Sequence, residues 1–180
     1  MEEVTGVQEL AELKQYIRDV PDFPKSGIVF KDITPLLQVP AAFRQVIDTL
    51  SEVLSKKKVD LIIGVESRGF IFSPALAYKM NIGFIPVRKK GKLPWHTHEV
   101  SYELEYGEAV LQIHQDALKK GQRIAIVDDL LATGGTAGAA ACLVEKLGGS
   151  VEIIACLIEL SFLKGRDRLA GYEVFSLLQY

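Results

Sequence analysis

Residues 125–136, AIVDDLLATGGT, combine an apolar run, two adjacent acids and a glycine turn flanked by threonines. The apolar residues predict a buried strand, and the alanine-rich segment after the turn predicts a helix. Glycines let neighbouring N–H groups point at one anion, and a helix N-terminus adds partial positive charge. Residues 132–136, called the glycine turn below, are therefore predicted to bind a phosphate monoester.

The acid pair, Asp128 and Asp129, indicates what the rest of the ligand is. A carboxylate repels phosphate, but it accepts hydrogen bonds from sugar hydroxyls, each contributing about 1.5–3 kcal/mol. The stretch thus predicts a ribose 5-phosphate site, with the hydroxyls on the acids and the phosphate on Ala132, Thr133, Gly134, Gly135 and Thr136. No lysine follows the glycines, so this is not a Walker loop. The alternative is an ordinary strand-to-helix turn with a solvated acid pair, which acids on a buried strand disfavour.

Strand and helix patterns alternate along the chain. Continuous apolar runs predict strands buried on both faces, and segments with helical periodicity lie between them. The predicted strands are 60–65, 82–87, 123–127 and 151–160, and the predicted helices are 41–56, 70–80 and 136–149. This order predicts an α/β fold with a central, mostly parallel sheet flanked by helices.

Three predicted strands end in charged and polar residues that could bind a ligand: Glu66-Ser67-Arg68, Arg88-Lys89-Lys90 and the acid pair. Ligands of open α/β sheets bind beyond the carboxyl ends of the strands, so these residues are expected to converge. Residues 88–107 mix charge, Gly, Pro and aromatics and are interpreted as a long excursion from the sheet, a hairpin or lid. His96 and His98 lie there, but without two further ligands nearby a zinc site is disfavoured.

Composition limits the remaining possibilities. A chain of 180 residues predicts one domain, 1–180, and its formal charge of −2 argues against nucleic acid or anionic membrane as a partner. The chain has no apolar run of about 20 residues and no signal-like start, which predicts a cytoplasmic protein. Cys142 and Cys156 are predicted to be buried, reduced thiols. Leu10, Leu13 and Ile17 predict an amphipathic surface helix.

The acid pair and the TGGT turn resemble the signature of type I phosphoribosyltransferases. Five further segments resemble the adenine-specific members of that family: PDFPKSGIVFKDITPLL (21–37), ESRGFIFSPALA (66–77), RKKGKLP (88–94), SYELEYG (101–107) and SLLQY (176–180). The resemblance implies the type I phosphoribosyltransferase fold, with an N-terminal base-binding hood at about 21–37 and a flexible lid at about 88–107. It also implies transfer of a phosphoribosyl group from phosphoribosyl pyrophosphate to N9 of adenine, giving AMP and pyrophosphate.

The resemblance assigns roles to individual residues. Glu105, Asp128 and Asp129 would be catalytic, although the residues alone do not separate Glu105 from Glu99, Glu103 or Glu108. Pyrophosphate would meet Arg68, Arg88, Lys89 and Lys92, with Lys90 nearby. Adenine would meet Ile28, Val29, Phe30 and Lys31, which without the resemblance could equally form a short core strand.

The same resemblance implies Mg²⁺ held mainly by substrate oxygens and a homodimer in which some basic residues act across the interface. Alternatives are a phosphoribosyltransferase for another base and a regulator that senses phosphoribosyl pyrophosphate. The segments ESRGF, IVF and LEYG argue against the first, and the small, weakly acidic chain argues against the second.

Overall fold

The structure is a computed structural model that describes residues 12–103 and 108–180. The chain divides into two compact units, Met1–Thr49 and Leu50–Tyr180. Among the described residues, no helix is both long and apolar enough to cross a membrane.

The N-terminal unit contains a two-stranded antiparallel sheet and short helices. Its elements are a 3₁₀ turn (Leu13–Tyr16), β1 (Arg18–Pro21), β2 (Val29–Asp32), α1 (Thr34–Gln38) and the first part of α2 (Pro40–Ser55). The described part of the predicted amphipathic helix is helical from Glu12 to Tyr16 but ends before Ile17, because the chain becomes extended at Arg18 to pair with Asp32. Leu13 and Ile17 are buried, and Leu10 lies outside the described residues.

The second unit is built on one sheet of seven described strands in the order β5-β6-β4-β3-β7-β8-β9. The five strands from β4 to β9 in that order are parallel, and β5 and β6 form an antiparallel edge. The strands are β3 (Leu61–Val65), β4 (Gly83–Lys89), β5 (Thr97–Glu103), β6 (Glu108–His114), β7 (Arg123–Leu131), β8 (Ser150–Glu159) and β9 (Val174–Gln179). The predicted mostly parallel sheet is confirmed.

Helices cover the sheet as its apolar pattern requires. They are α3 (Gly69–Met80), α4 (Gly135–Lys146) and the remainder of α2, and two 3₁₀ segments, Ser161–Leu163 and Gly165–Leu169, follow β8. The small, buried alanines of α4 let this helix pack closely on the sheet. The predicted helices therefore exist, with ends shifted by no more than three residues.

Two predicted elements differ from the structure. Strands β5 and β6 form an antiparallel pair, but this pair extends the sheet instead of leaving it, because β6 pairs with Arg88 and Lys89 of β4. Strand β7 does not stop before the acids: its pairing with β8 continues to Leu131, so Asp128 and Asp129 lie within the strand. Charge did not end the strand because backbone pairing, not side-chain polarity, defines it.

The two cysteines differ in burial. Cys156 is buried on β8, as predicted, whereas Cys142 is exposed. The prediction for Cys142 is wrong because α4 buries its alanines and leucine on one side, and position 142 falls on the opposite side.

Candidate active site

The acid pair is buried at the point where one neighbouring strand ends. Asp128 and Asp129 are only 9% and 3% exposed. Pairing between β3 and β7 stops at Gly64 and Val127, so the chain after β3 turns directly over Asp128. The Ser67 hydroxyl donates to Asp128 Oδ1 over 2.8 Å, and the Asp129 N–H donates to the same oxygen over 2.9 Å. Two hydrogen bonds thus fix the Asp128 carboxylate before any ligand arrives.

Asp129 has a charged neighbour. Arg68 Nε lies 2.8 Å from Asp129 Oδ2 in an ion pair. That oxygen is buried, yet none of the described residues donates it a hydrogen bond of good geometry. It therefore keeps acceptor capacity for a hydroxyl or a hydrated cation.

Burial raises the pKa of both acids. For Asp128 the rise is large, and the neighbouring charge of Asp129 adds to it. For Asp129, burial also raises the pKa, and the Arg68 guanidinium opposes the rise. Two adjacent carboxylates in a buried place favour any ligand that brings hydroxyl donors or positive charge.

Helix α3 approaches the acid pair closely. A Cβ on Gly69 would overlap Asp128 Oδ1, so this position accepts only glycine without movement. One turn further, the Ser73 hydroxyl donates to Gly69 O over 2.8 Å and contacts Val127 O at 3.2 Å. The start of α3 is therefore held against β7 beside the acids.

The glycine turn joins the end of β7 to α4. Gly134 has φ 82°, a left-handed conformation that favours glycine, and α4 begins at the next residue. The first turn of a helix leaves N–H groups without intrahelical acceptors, and its partial positive charge attracts anions. The Thr136 hydroxyl lies 3.5 Å from the Tyr102 hydroxyl of β5. The predicted strand-to-helix turn is thus present at the carboxyl end of β7.

Residues 88–92, the basic turn, are braced by acids. Arg88 Nη2 donates to Glu66 Oε1 over 2.7 Å, and the Lys89 N–H donates to Glu66 Oε2 over 3.0 Å. Arg88 Nη1 also donates to Lys92 O over 2.9 Å, and the Lys90 ammonium lies 3.1 Å from Glu99. The hydrogen bond from Arg88 lowers the pKa of Glu66. The guanidinium of Arg88 is therefore engaged within the chain.

Comparison with known proteins places this geometry in a family. Residues 32–177 match the family model described as the phosphoribosyl transferase domain. The chain belongs to the phosphoribosyltransferase family.

Close relatives within this family indicate which base the enzyme uses. The chain is 60% identical over 168 residues to the adenine phosphoribosyltransferase of Roseiflexus castenholzii, covering 93% of this chain and 98% of the relative. A crystal structure of the enzyme from Thermoanaerobacter pseudethanolicus matches with TM-score 0.93 and 55% identity, covering 95% and 99% of the two chains.

The enzyme from Saccharomyces cerevisiae, solved with D-2,5-dideoxy-2,5-imino-altritol 1,6-bisphosphate and adenine, matches with TM-score 0.89 and 42% identity, covering 95% and 99%. This phosphoribosyltransferase therefore has adenine phosphoribosyltransferase activity, a pentosyl transfer of purine salvage.

The structure of this phosphoribosyltransferase brings some predicted residues together directly. Arg68 contacts the acid pair, and the glycine turn follows it along the chain. Residues predicted for adenine lie in the N-terminal unit, on or next to β2: Phe30 stacks edge-on against Phe23 at 5.2 Å, Val29 is exposed, and Lys31 Nζ lies 2.6 Å from Asp19 Oδ1. Glu105, the predicted catalytic carboxylate, lies outside the described residues.

Two contacts in the site were not anticipated from the sequence. Ser67 was noted only as part of a polar strand end, and its hydroxyl turns out to bind Asp128. Gly165 lies against the glycine turn: a Cβ on Gly165 would overlap Ala132 O and come within 3.1 Å of Gly134 N. The only sequence signal for this second contact is an isolated glycine between two basic residues, which is not specific.

Among the described residues, no group of three or more His, Cys, Asp or Glu side chains could hold a metal ion. Mg²⁺ prefers few protein oxygens together with water and substrate phosphates. The buried Asp129 Oδ2 with spare acceptor capacity fits a hydrated cation that is held mainly by a bound substrate.

Proposed function

We propose that Asp128 and Asp129 hold the ribose hydroxyls of phosphoribosyl pyrophosphate while N9 of adenine displaces pyrophosphate at C1. The observation that carries this proposal is the acid pair buried on β7 directly before a glycine turn that begins a helix. Hydroxyl donors would lower the raised pKa of both acids and keep them ionised. The carboxylates then face the positive charge that develops on the sugar, a preorganised electrostatic contribution.

The 5-phosphate would bind the glycine turn, through the N–H groups of residues 132–136 and the hydroxyls of Thr133 and Thr136. Binding there uses the N-terminal charge of α4, which is 12 residues long. Thr136 would exchange its contact with Tyr102 for the phosphate.

Pyrophosphate would leave toward Arg68, Arg88, Lys89 and Lys92. Arg68 and Arg88 are both paired with carboxylates, Asp129 and Glu66, at 2.8 and 2.7 Å. A pyrophosphate must therefore compete with these acids, and only a highly charged ligand does so effectively. This competition favours phosphoribosyl pyrophosphate over ribose 5-phosphate alone.

Mg²⁺, when bound, would supply positive charge that neutralises the leaving pyrophosphate. Within the chain, Asp129 would hold the waters of the ion through its available oxygen. The chain itself supplies orientation and the removal of water from the sugar.

Adenine would bind at Ile28, Val29, Phe30 and Lys31, with apolar side chains on the ring and main-chain groups on its polar edge. Glu105 would handle the proton at the imidazole side of the purine as N9 attacks. A site that hydrogen-bonds a 6-amino group rejects a 6-oxo purine by a factor of about 10⁴, because mismatched polar groups stay buried.

We also propose a cytoplasmic homodimer. Both cysteines are free thiols, as expected in a reducing compartment. On α3, Ile71 and Tyr78 are exposed apolar side chains that lie on the same face of the helix, two turns apart. This face is a suitable surface for a second copy. Sedimentation velocity of the purified protein tests the dimer: a single species of one chain mass would contradict it.

The reaction is tested by offering bases separately to the purified protein with phosphoribosyl pyrophosphate and Mg²⁺. We expect AMP and pyrophosphate from adenine and no nucleotide from hypoxanthine, guanine, xanthine or orotate. Nucleotide from a 6-oxo purine would keep the ribose-phosphate site and overturn the adenine site. Tight binding of phosphoribosyl pyrophosphate without product from any base would favour a regulator.

A further inference from the structure

The glycine turn is supported from behind by residues 161–169, called the buttress segment below. Gly165 of this segment is in direct backbone contact with Ala132 and Gly134. A Cβ on Gly134 would overlap Gly165 O, and a Cβ on Gly165 would overlap Ala132 O. Neither backbone can move toward the other, so the place of the buttress segment limits the place of the glycine turn.

Arg166 anchors the buttress segment to the sheet. Its Nε and Nη2 donate to the two oxygens of Glu159 over 2.8 and 2.7 Å, a bidentate pair. Nη1 donates to Val174 O, and Nη2 donates also to Ser176 Oγ, both over 2.9 Å. Four hydrogen bonds from one planar group thus connect the buttress segment to β8 and β9, a geometry that Lys cannot reproduce.

The anchor point lies beside the start of the glycine turn. Glu159 is only 5% exposed and is the last residue of β8, where it pairs in register with Leu131, the last residue of β7. The next N–H along, from Leu160, donates to Leu131 O over 2.9 Å. Leu131 directly precedes Ala132. The register pair of Leu131 and Glu159 is therefore adjacent to the glycine turn that Gly165 contacts.

We propose that Arg166 is a positioning residue for the glycine turn, setting through Gly165 the place where its N–H groups meet the 5-phosphate. This inference rests on the proposed binding of the 5-phosphate by residues 132–136. Arg166 itself touches no substrate in this assignment. Its loss shifts the turn and weakens phosphate binding without removing a chemical group.

The test compares Arg166 with Arg123, an arginine in a matched pair. Arg123 also makes a bidentate pair, with Asp60 at 3.0 and 2.6 Å, but at the opposite end of β7. We expect Arg166→Met to raise KM for phosphoribosyl pyrophosphate about tenfold, with kcat and KM for adenine within about twofold. Arg166→Lys should give a smaller rise. Arg123→Met should lower Tm comparably and leave all three kinetic constants within about twofold.

A second variant reaches the same contact without removing a charge. Gly165→Ala adds one methyl group against Ala132 O, and we expect it to raise KM for phosphoribosyl pyrophosphate at least as much as Arg166→Met. The comparator is Gly138→Ala, whose Cβ would lie 3.7 Å from Leu169, an ordinary contact. Gly165→Ala keeps the proposal testable should Arg166→Met not fold.

The possible outcomes distinguish the proposed phosphate site from the proposed positioning role of Arg166. A raised KM in Gly134→Ala, with no change in Arg166→Met and Gly165→Ala, would overturn the positioning role and leave the phosphate site standing. An unchanged KM in Gly134→Ala would overturn the phosphate site and the positioning role together. An equal rise in Arg123→Met and Arg166→Met would reduce Arg166 to a general stabilising residue and overturn the proposal.

Discussion

Arginine and aspartate side chains lie together at both ends of strand β7, but the aspartate pKa is lowered at one end and raised at the other. At its start, Asp60 accepts hydrogen bonds from the Arg123 guanidinium and N–H at 2.6–3.0 Å, and the guanidinium lowers the pKa of Asp60 to about 2. Near its carboxyl end, Asp129 is paired with Arg68, and burial raises the pKa of both Asp128 and Asp129. Along β7, Arg123 and the acid pair are separated by about 17–20 Å by strand geometry.

The difference supports the proposed ligand site at the carboxyl end of β7. At the start of β7 the Arg123 guanidinium and the Asp60 carboxylate are already paired with each other. At the other end, burial disfavours the ionised form of both carboxylates, and hydroxyl donors or positive charge from a ligand would reduce this cost. Activity and stability should therefore respond in opposite ways when the same substitution is made at the two ends.

The largest expected difference is in catalysis. Asp129→Asn should lower kcat/KM for phosphoribosyl pyrophosphate by about 10²–10³, because a preorganised charge facing the sugar is lost. Asp60→Asn should change it by less than about threefold, since that pair lies far from the reacting atoms. Initial rates of AMP formation, measured below both melting temperatures, check this. Similar losses in the two variants would contradict the functional asymmetry of β7.

A smaller difference is expected between two glycines that flank the strand. Gly121 and Gly134 both have left-handed φ, 84° and 82°, so alanine adds about 1–2 kcal/mol of backbone strain at each. Only at Gly134 does the new Cβ also overlap a neighbour, Gly165 O. Gly134→Ala should lower kcat/KM by about 10- to 100-fold, by displacement of the glycine turn, and Gly121→Ala by less than about twofold.

Thermal unfolding of both variants is the accompanying control. Comparable Tm values with different kcat/KM would assign the loss to the glycine turn, whereas kinetic losses that follow Tm would indicate general destabilisation at either position.

The smallest effect concerns stability and pH. The folded pKa of Asp128 lies above its ordinary value of 3.8, so protons bind more tightly in the folded state and stability falls as pH rises above about 4. Asp128→Asn removes this penalty and keeps an oxygen for the Ser67 hydroxyl. Its Tm at pH 7.5 should exceed that of the parent by about 2–4 °C, although activity is lost.

Asp60 has the opposite sign. Its folded pKa of about 2 is below the ordinary value of 3.8, so the stability from its pair is present above about pH 4 and is lost as pH falls toward 2. Asp60→Asn should lower Tm at pH 7.5, and the difference from the parent should shrink through that acid range. A lower Tm for Asp128→Asn at pH 7.5 would contradict the comparison.

Much of the secondary structure of the second unit, Leu50–Tyr180, could be predicted from the local sequence. Continuous apolar runs predicted four parallel strands, and the TGGT motif predicted the strand-to-helix turn at Gly134, because both depend on nearest neighbours. The convergence of Arg68 with the acid pair followed from a topological rule for parallel sheets. These predictions needed no knowledge of side-chain contacts.

Other features depend on which segments meet in three dimensions. The pairing of Gly165 with the glycine turn joins residues about thirty positions apart, and no periodicity marks it. The end of β7 was misplaced because partner strand β8 decides where pairing stops. The exposure of Cys142 depended on how α4 is rotated, which its alanine-rich sequence leaves undecided.

The close approach of Gly69 to Asp128 has a consequence for related sequences. Because a Cβ at position 69 would occupy the space of Asp128 Oδ1, a larger side chain at position 69 and this aspartate conformation exclude each other. The two positions are therefore expected to change together and not one at a time. A related sequence with a larger residue at position 69 should therefore also carry a replacement of this aspartate or hold it in another conformation.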